Sequence, residues 1–247
     1  YIFYMLTKNH YKLIQSLRQK KQRQNQKLFV AEGSKVVQEF LNSKYELEYI
    51  FSTSKSYSNF ENKYVLINNS ELNKISSLVS PNAVLAIFKI PKPQKIDFSK
   101  LIIALDELNN PGNLGTIIRL CDWYGVKDLI CSKDSVDCYN PKVIQSAMGS
   151  HSRVNISYLN LEKCLNKAEF SMGADLNGDN IYNNELPQKG ILIFGNESNG
   201  ISPELYKLLN IKLTIPRFGK IKKTESLNVA NAVAIMLSEF KRSTIEM

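Results

Sequence analysis

The stretch LIIALDELNNPGNLGTIIRLCDWYGV, residues 101–126, opens on an apolar run, passes through a loop crowded with turn formers and closes on apolar side chains at helical spacing. A short apolar run bounded by turn residues reads as a strand buried on both faces, and the helix after it as the start of a crossover to a parallel neighbour. Asn113 reads as the N-cap of a helix over 114–124. Gly112 and Gly115 let another backbone or a phosphate approach closely. Arg119 is a buried-looking cation roughly one and a half turns in, able to reach back towards the loop. The plain alternative is a loop that only turns the chain, with Arg119 paired to Asp122 or Asp106.

The same alternation continues outward. DLICS (128–132), ILIFG (191–195) and IKLTIP (211–216) are short, apolar and bounded by turn residues, with helical segments expected at 141–148, 161–168, 202–209 and 226–241. This is an α/β pattern with a mostly parallel sheet and helices on both faces. Upstream, residues 8–27 read as a basic helix. LFVAEG (28–33), LEYIFST (47–53), KYVLINN (63–69) and AVLAIFKI (83–90) read as strands around a helix at SKVVQEFLNS (34–43). The Pro- and Lys-containing segment PKPQKIDFSK (91–100) reads as a linker. The boundary is set near residue 95, giving a small α/β domain at 1–95 and a larger one at 96–247.

The 247 residues, 43% of them hydrophobic, suffice for a globular core, and a net charge of +9 favours a polyanionic partner such as nucleic acid. No stretch approaches the roughly 18–20 apolar residues of a membrane helix, and no export-signal pattern opens the chain, so the expected location is cytoplasmic. Cys121, Cys131, Cys138 and Cys164 lack C-x-x-C spacing and the histidines are His10 and His151 alone, so reduced structural thiols and no metal are expected.

In open α/β sheets ligands bind beyond the carboxyl ends of the strands, which directs attention to three loops. The first is the Asn-Pro-Gly-Asn loop already quoted. IFGNESNGIS (193–202) follows a strand and can offer backbone N–H groups and a carboxylate, although Gly, Asn and Ser are also ordinary turn formers. IPRFGKIKKTESLNVANAVAIMLSEF (215–240) runs from a strand end through a basic loop into a helix capped by Ser226 or Thr224. Asn228 and Asn231 share one face of that helix; capping and core packing are the plain reading. Neither G-x-G-x-x-G after a strand nor G-x-x-x-x-G-K-[ST] occurs, and G-x-S-x-G is missing, so a dinucleotide fold, a P-loop and a serine hydrolase lack support.

Taken in order, NNPGNLGTIIR, FGNESNGIS and IP…SLNVANAVAI resemble motifs 1, 2 and 3 of the SpoU (TrmH-like) RNA 2′-O-ribose methyltransferases of the SPOUT superfamily, over residues 100–242. FVAEGSKVVQEFL (29–41) is similar to the RNA substrate-binding domain often found ahead of it, a fold resembling a ribosomal protein. The resemblance implies a trefoil knot in the second domain and S-adenosylmethionine as methyl donor, held by backbone around Gly195, Ile215 and Leu227. It implies catalytic roles for Asn113, Arg119, Glu197, Ser226 and Asn228, a ribosomal or transfer RNA substrate, and a homodimer. RFGKIKKTE (217–225) is longer and more basic than in many members. Two rivals are a catalytically silent RNA-binding or ribosome-assembly protein of the same fold, and an enzyme methylating a base nitrogen. Arg119 is often cast as the base in such enzymes, but a guanidinium resists deprotonation, so positioning and charge stabilisation are the expected role. The basic run RQKKQRQNQK (18–27) is expected to contact phosphate and sugar, a solvated basic helix being the alternative.

Overall fold

The computed structural model describes residues 5–219, 221 and 226–242. The chain forms two compact units: residues 1–92 with 137–152, and residues 93–136 with 153–247. The segment 137–152, which a single cut at residue 95 leaves with the larger half, packs in the first unit.

The first unit begins with α1 (Lys8–Ser16), α2 (Lys20–Gln26), β1 (Leu28–Glu32), α3 (Ser34–Leu41), β2 (Leu47–Ser52), β3 (Tyr64–Leu66), α4 (Asn69–Ile75) and β4 (Val84–Lys89). The basic segment expected as one helix is two. Thr7 and His10 form a capping box at the start of α1, and α1 ends at Leu17, where the chain turns into α2. The sheet order is β1-β4-β2-β3, antiparallel except for the β2–β3 pair. Side chains alternate: Phe29 and Ala31 join one core cluster with Val36, Val37 and Phe40, while Val30 joins Ile14, Leu17, Leu72 and Ile75 in another.

Arg23, expected among the phosphate-contacting cations, is 1% exposed. Its Nε and Nη2 donate to Asp137 Oδ2 at 2.8 and 2.6 Å, and its Nη1 donates to the carbonyls of Leu17 and Arg18 at 2.8 and 2.9 Å. It closes the α1–α2 elbow and is unavailable to a polyanion. Arg18, Lys20, Lys21 and Lys27 remain exposed.

The second unit contributes β5 (Leu101–Leu105), α5 (Pro111–Trp123) and β6 (Asp128–Cys131) before the chain returns to the first unit for α6 (Pro141–Ala147). It then supplies β7 (Asn155–Tyr158), α7 (Leu161–Leu165), β8 (Ser171–Asn180), β9 (Gly190–Phe194), α8 (Pro203–Tyr206), β10 (Ile211–Thr214) and α9 (Val229–Arg242). All its strand pairs are parallel, in the order β10-β8-β9-β5-β6-β7. Ile102, Ala104, Ile191 and Ile193 pack with α7 and α8 through Leu161, Leu165 and Leu205. Leu101, Ile103, Leu105 and Leu192, facing the other way by alternation, are equally buried, as a doubly covered parallel sheet requires. Strands β7 and β8 were not anticipated. NISY and SMGADLNGDN carry too few consecutive apolar residues to announce themselves, and β8 breaks register with β10 between Lys212 and Leu213. The four cysteines are reduced and buried.

Candidate active site

The central strands β5 and β9 end side by side, and the loops leaving them are tied together by side chains. Asp106, buried at the end of β5, donates its N–H to the Phe194 carbonyl, and its Oδ2 accepts from the Ser202 N–H at 2.8 Å. After β9 the chain makes a tight hairpin in which Asn196 and Gly200 exchange both backbone hydrogen bonds at 2.9 Å. Asn196 Oδ1 accepts from the N–H groups of Ser198 and Asn199, and its Nδ2 donates to the Glu107 carbonyl at 2.9 Å. A Cβ at Gly195 would lie 2.0 Å from the Gly200 carbonyl carbon, so only glycine permits this hairpin to fold back on its own strand.

Helix α5 starts earlier than its apolar pattern suggests. Asn110, not Asn113, is its N-cap: Asn110 Oδ1 accepts from the N–H groups of Gly112 and Asn113. Pro111 takes the first helical position, where a missing N–H costs nothing. Asn113 is thereby released from capping and points its amide out of the first turn. At the start of helix α9 it is Asn228 that caps. Asn228 Oδ1 accepts from Ala230 N at 3.0 Å and Asn231 N at 3.3 Å; Ser226 is exposed, and Thr224 lies outside the described residues.

These two corrections generate the centre of the site. With its oxygen engaged by backbone N–H groups, Asn228 can only present its Nδ2, which donates to Asn113 Oδ1 at 2.9 Å. Asn113 then donates its own Nδ2 to Glu197 Oε1, again at 2.9 Å. The relay Asn228→Asn113→Glu197 joins one residue from each of the three loops, and the helix amides at its start fix the orientation of both asparagines. Helices α5 and α9 pack against each other beneath it.

The remaining expected residues are not brought into this relay. Arg119 is exposed rather than buried, and among the described residues nothing pairs with it: Asp122 is bound by Arg153 at 2.9 Å. It shares an exposed side of α5 with Thr116 and with Trp123, which is 82% exposed. Arg119 lies six positions beyond Asn113, about 9 Å along the helix axis. Ile215 and Gly195 are half-buried, whereas Ser226 and Leu227 are exposed. Around the third loop Phe218, Ile221 and Leu227 all show large apolar surface to solvent. Among the described residues no group of three or more His, Cys, Asp or Glu is placed to hold a metal.

Sequence reasoning missed Asp106, Glu107, Asn110 and Asn196. The Asn-Pro pair at 110–111 is a signal for a cap followed by proline at the first helical position, and it was legible. The cross-loop bonds of Asp106 and Asn196 carried no such signal.

Known proteins resemble this chain over nearly its whole length. Residues 100–238 match the model of the SpoU rRNA methylase family, and residues 8–86 that of an MRM3-like substrate binding domain. The chain is 28% identical over 231 residues to the 23S rRNA (guanosine(2553)-2′-O)-methyltransferase RlmP of Bacillus subtilis, covering 90% of this chain and 91% of that one. A Porphyromonas gingivalis structure assigned to the TrmH family of RNA methyltransferases superposes with a TM-score of 0.88 at 34% identity, over 97% of this chain and 100% of that chain. An AdoMet-bound rRNA methyltransferase from Sinorhizobium meliloti gives 0.86 at 27% identity, covering 98% and 97%.

Proposed function

From the premise that this chain belongs to the SpoU rRNA methylase family, we propose that it is an S-adenosylmethionine-dependent RNA methyltransferase acting on a ribose 2′-hydroxyl. The observation that carries the reading is the Asn228–Asn113–Glu197 relay at the carboxyl ends of β5 and β9, which draws the three loops into one polar floor.

The residues present suit the donor. Adenosine and a methionine chain require backbone hydrogen-bonding groups and apolar cover. The 195–201 hairpin with Ile215 offers the former, and the uncovered Phe218, Ile221 and Leu227 the latter. When bound, S-adenosylmethionine supplies an electrophilic methyl group on a sulfonium. For the acceptor, Asn113 and Glu197 orient the ribose, and Ser226 borders it. Arg119, without a partner among the described residues, holds an adjacent phosphate or stabilises charge developing on the 2′ oxygen. Loss of the hydroxyl proton falls to an acceptor of ordinary basicity, because a guanidinium stays protonated.

We assign residues 1–95 to RNA binding, through the exposed Arg18, Lys20, Lys21 and Lys27, and residues 96–247 to catalysis, with the trefoil knot the family resemblance implies. Ribosomal RNA is favoured over transfer RNA by the activity named for the Bacillus subtilis relative, a 23S rRNA methyltransferase. Among the described residues no helix is long and apolar enough to cross a membrane, and we take the site of action to be cytoplasmic. A homodimer is favoured by the lone tryptophan standing exposed on α5.

The test is transfer of labelled methyl from S-adenosylmethionine to RNA from cells lacking the gene, followed by nucleoside analysis. Label in a 2′-O-methyl nucleoside is expected; label in a base, or none, refutes the reading. Concentration-dependent blue shift of Trp123 emission, alongside a dimer mass in light scattering, tests the assembly.

A further inference from the structure

We infer that Glu107 selects the target nucleotide, its carboxylate accepting hydrogen bonds from the Watson–Crick edge of a guanine base; this rests on the ribose methyltransferase reading above. Glu107 has φ +52, a left-handed conformation that a glycine adopts freely and a glutamate does not. The backbone here is held from both sides. Its N–H donates to Ser132 Oγ at 2.9 Å and its carbonyl accepts from Asn196 Nδ2 at 2.9 Å. The next residue, Leu108, donates to Ser135 Oγ at 3.2 Å and accepts from Val136 N at 2.8 Å. Loops after β6 and β9 thus clamp a strained residue between them.

The side chain gives nothing back to the fold. It is exposed, and among the described residues it has neither a hydrogen bond nor an ion pair. A position that would relax as glycine carries instead a free carboxylate, at the end of β5 and bonded through its backbone to the residue preceding Glu197. Strain retained at the mouth of a site, with no structural use for the side chain, points to a ligand.

The chemistry of the ligand follows from that of RNA. A carboxylate repels phosphates and accepts from hydroxyl and N–H groups; with the ribose assigned to Asn113 and Glu197, the donors left to Glu107 are the N–H groups of the base. Its two coplanar acceptor oxygens match the adjacent N1–H and N2–H donors of guanine, whereas cytosine and adenine offer an amino group alone on that edge and uracil one imino. Glu197 is engaged by Asn113 and leaves this role to Glu107.

The full-length chain, E107G and E107Q are compared in labelled methyl transfer to total RNA from cells lacking the gene, with product nucleosides separated. The wild type is expected to form 2′-O-methylguanosine. E107G, relieved of its strain, should melt no lower than wild type and bind S-adenosylmethionine with unchanged Kd by calorimetry. It should form 2′-O-methylguanosine about 10- to 100-fold more slowly. E107Q, keeping one acceptor, should fall between. Equal rates for E107G and wild type, or wild-type label on another 2′-O-methyl nucleoside, overturn the assignment to guanine recognition by Glu107 alone. Absence of all ribose methylation by the wild type overturns the underlying reading together with it.

Discussion

Replacing Asn113 by Asp tests whether the three-loop relay operates as a unit. The variant keeps the shape of the side chain and the oxygen that accepts from Asn228, but puts an anionic oxygen where Nδ2 stood, 2.9 Å from Glu197 Oε1. A hydrogen bond to a charged acceptor, worth about 1.5–3 kcal/mol, is lost. Two carboxylates about 4 Å apart also repel by about 1 kcal/mol in water-like surroundings and about 4 kcal/mol at an effective dielectric of 20. Because Glu197 is exposed and Asn113 half-buried, the lower repulsion applies. The closed relay is then disfavoured by about 3 kcal/mol, a rate loss on the order of 100-fold if transfer requires it. Single-turnover methyl transfer should show that loss near pH 8. The deficit should narrow towards about pH 5, because a proton taken up between the two carboxyl groups restores the missing donor. A deficit equal at both pH values, or none, would refute a relay that acts through the Asn113 donor.

Arg119→Ala should lower methyl transfer by about 10²–10³-fold while leaving donor affinity and melting temperature near wild type, and Arg119→Lys should recover little if the planar fork matters. Lost donor binding in calorimetry would make the residue structural. Asp137→Ala strands the buried Arg23 guanidinium and should destabilise the first unit by about 3–5 kcal/mol in urea unfolding; a loss under about 1 kcal/mol would count against a tightly coupled pair. His151 is buried, with Nε2–H donating to the Cys138 carbonyl and Nδ1 lacking a partner among the described residues, and burial pushes its pKa down to about 4. Below its unfolded value of about 6.5 the unfolded chain binds a proton that the folded chain does not, so stability present above that pH is lost as pH falls from about 6.5 to about 4. Melting temperature against pH should show this slope for wild type and a shallower one for His151→Gln.

The sequence by itself determined the elements whose signal is local. The apolar runs at 101–105, 128–131 and 190–194 became parallel strands buried along their whole length, because burial on both faces demands continuous apolar residues, which a reader sees without coordinates; 211–214, at the edge of the sheet, fully buries Leu213 alone. Local order also carried the three loops, since Gly, Asn and Pro mark where a chain must turn. Only the tertiary structure decided what those loops do to one another. Asn113 and Asn228 lie 115 residues apart, and nothing in either neighbourhood states that one amide will donate to the other. Both were misread or left open as caps because a side-chain amide can satisfy a local N–H or a distant oxygen equally well, and which it does depends on where the backbone of another element arrives. Arg23 makes the same point in reverse. In a run of cations it is indistinguishable from its neighbours, and it is the Asp137 carboxylate, brought in by a chain that crosses between units, that converts it from a surface charge into a buried clasp. Periodicity reports burial averaged along an element, whereas pairing of polar groups is a pairwise, long-range quantity that only the folded backbone sets.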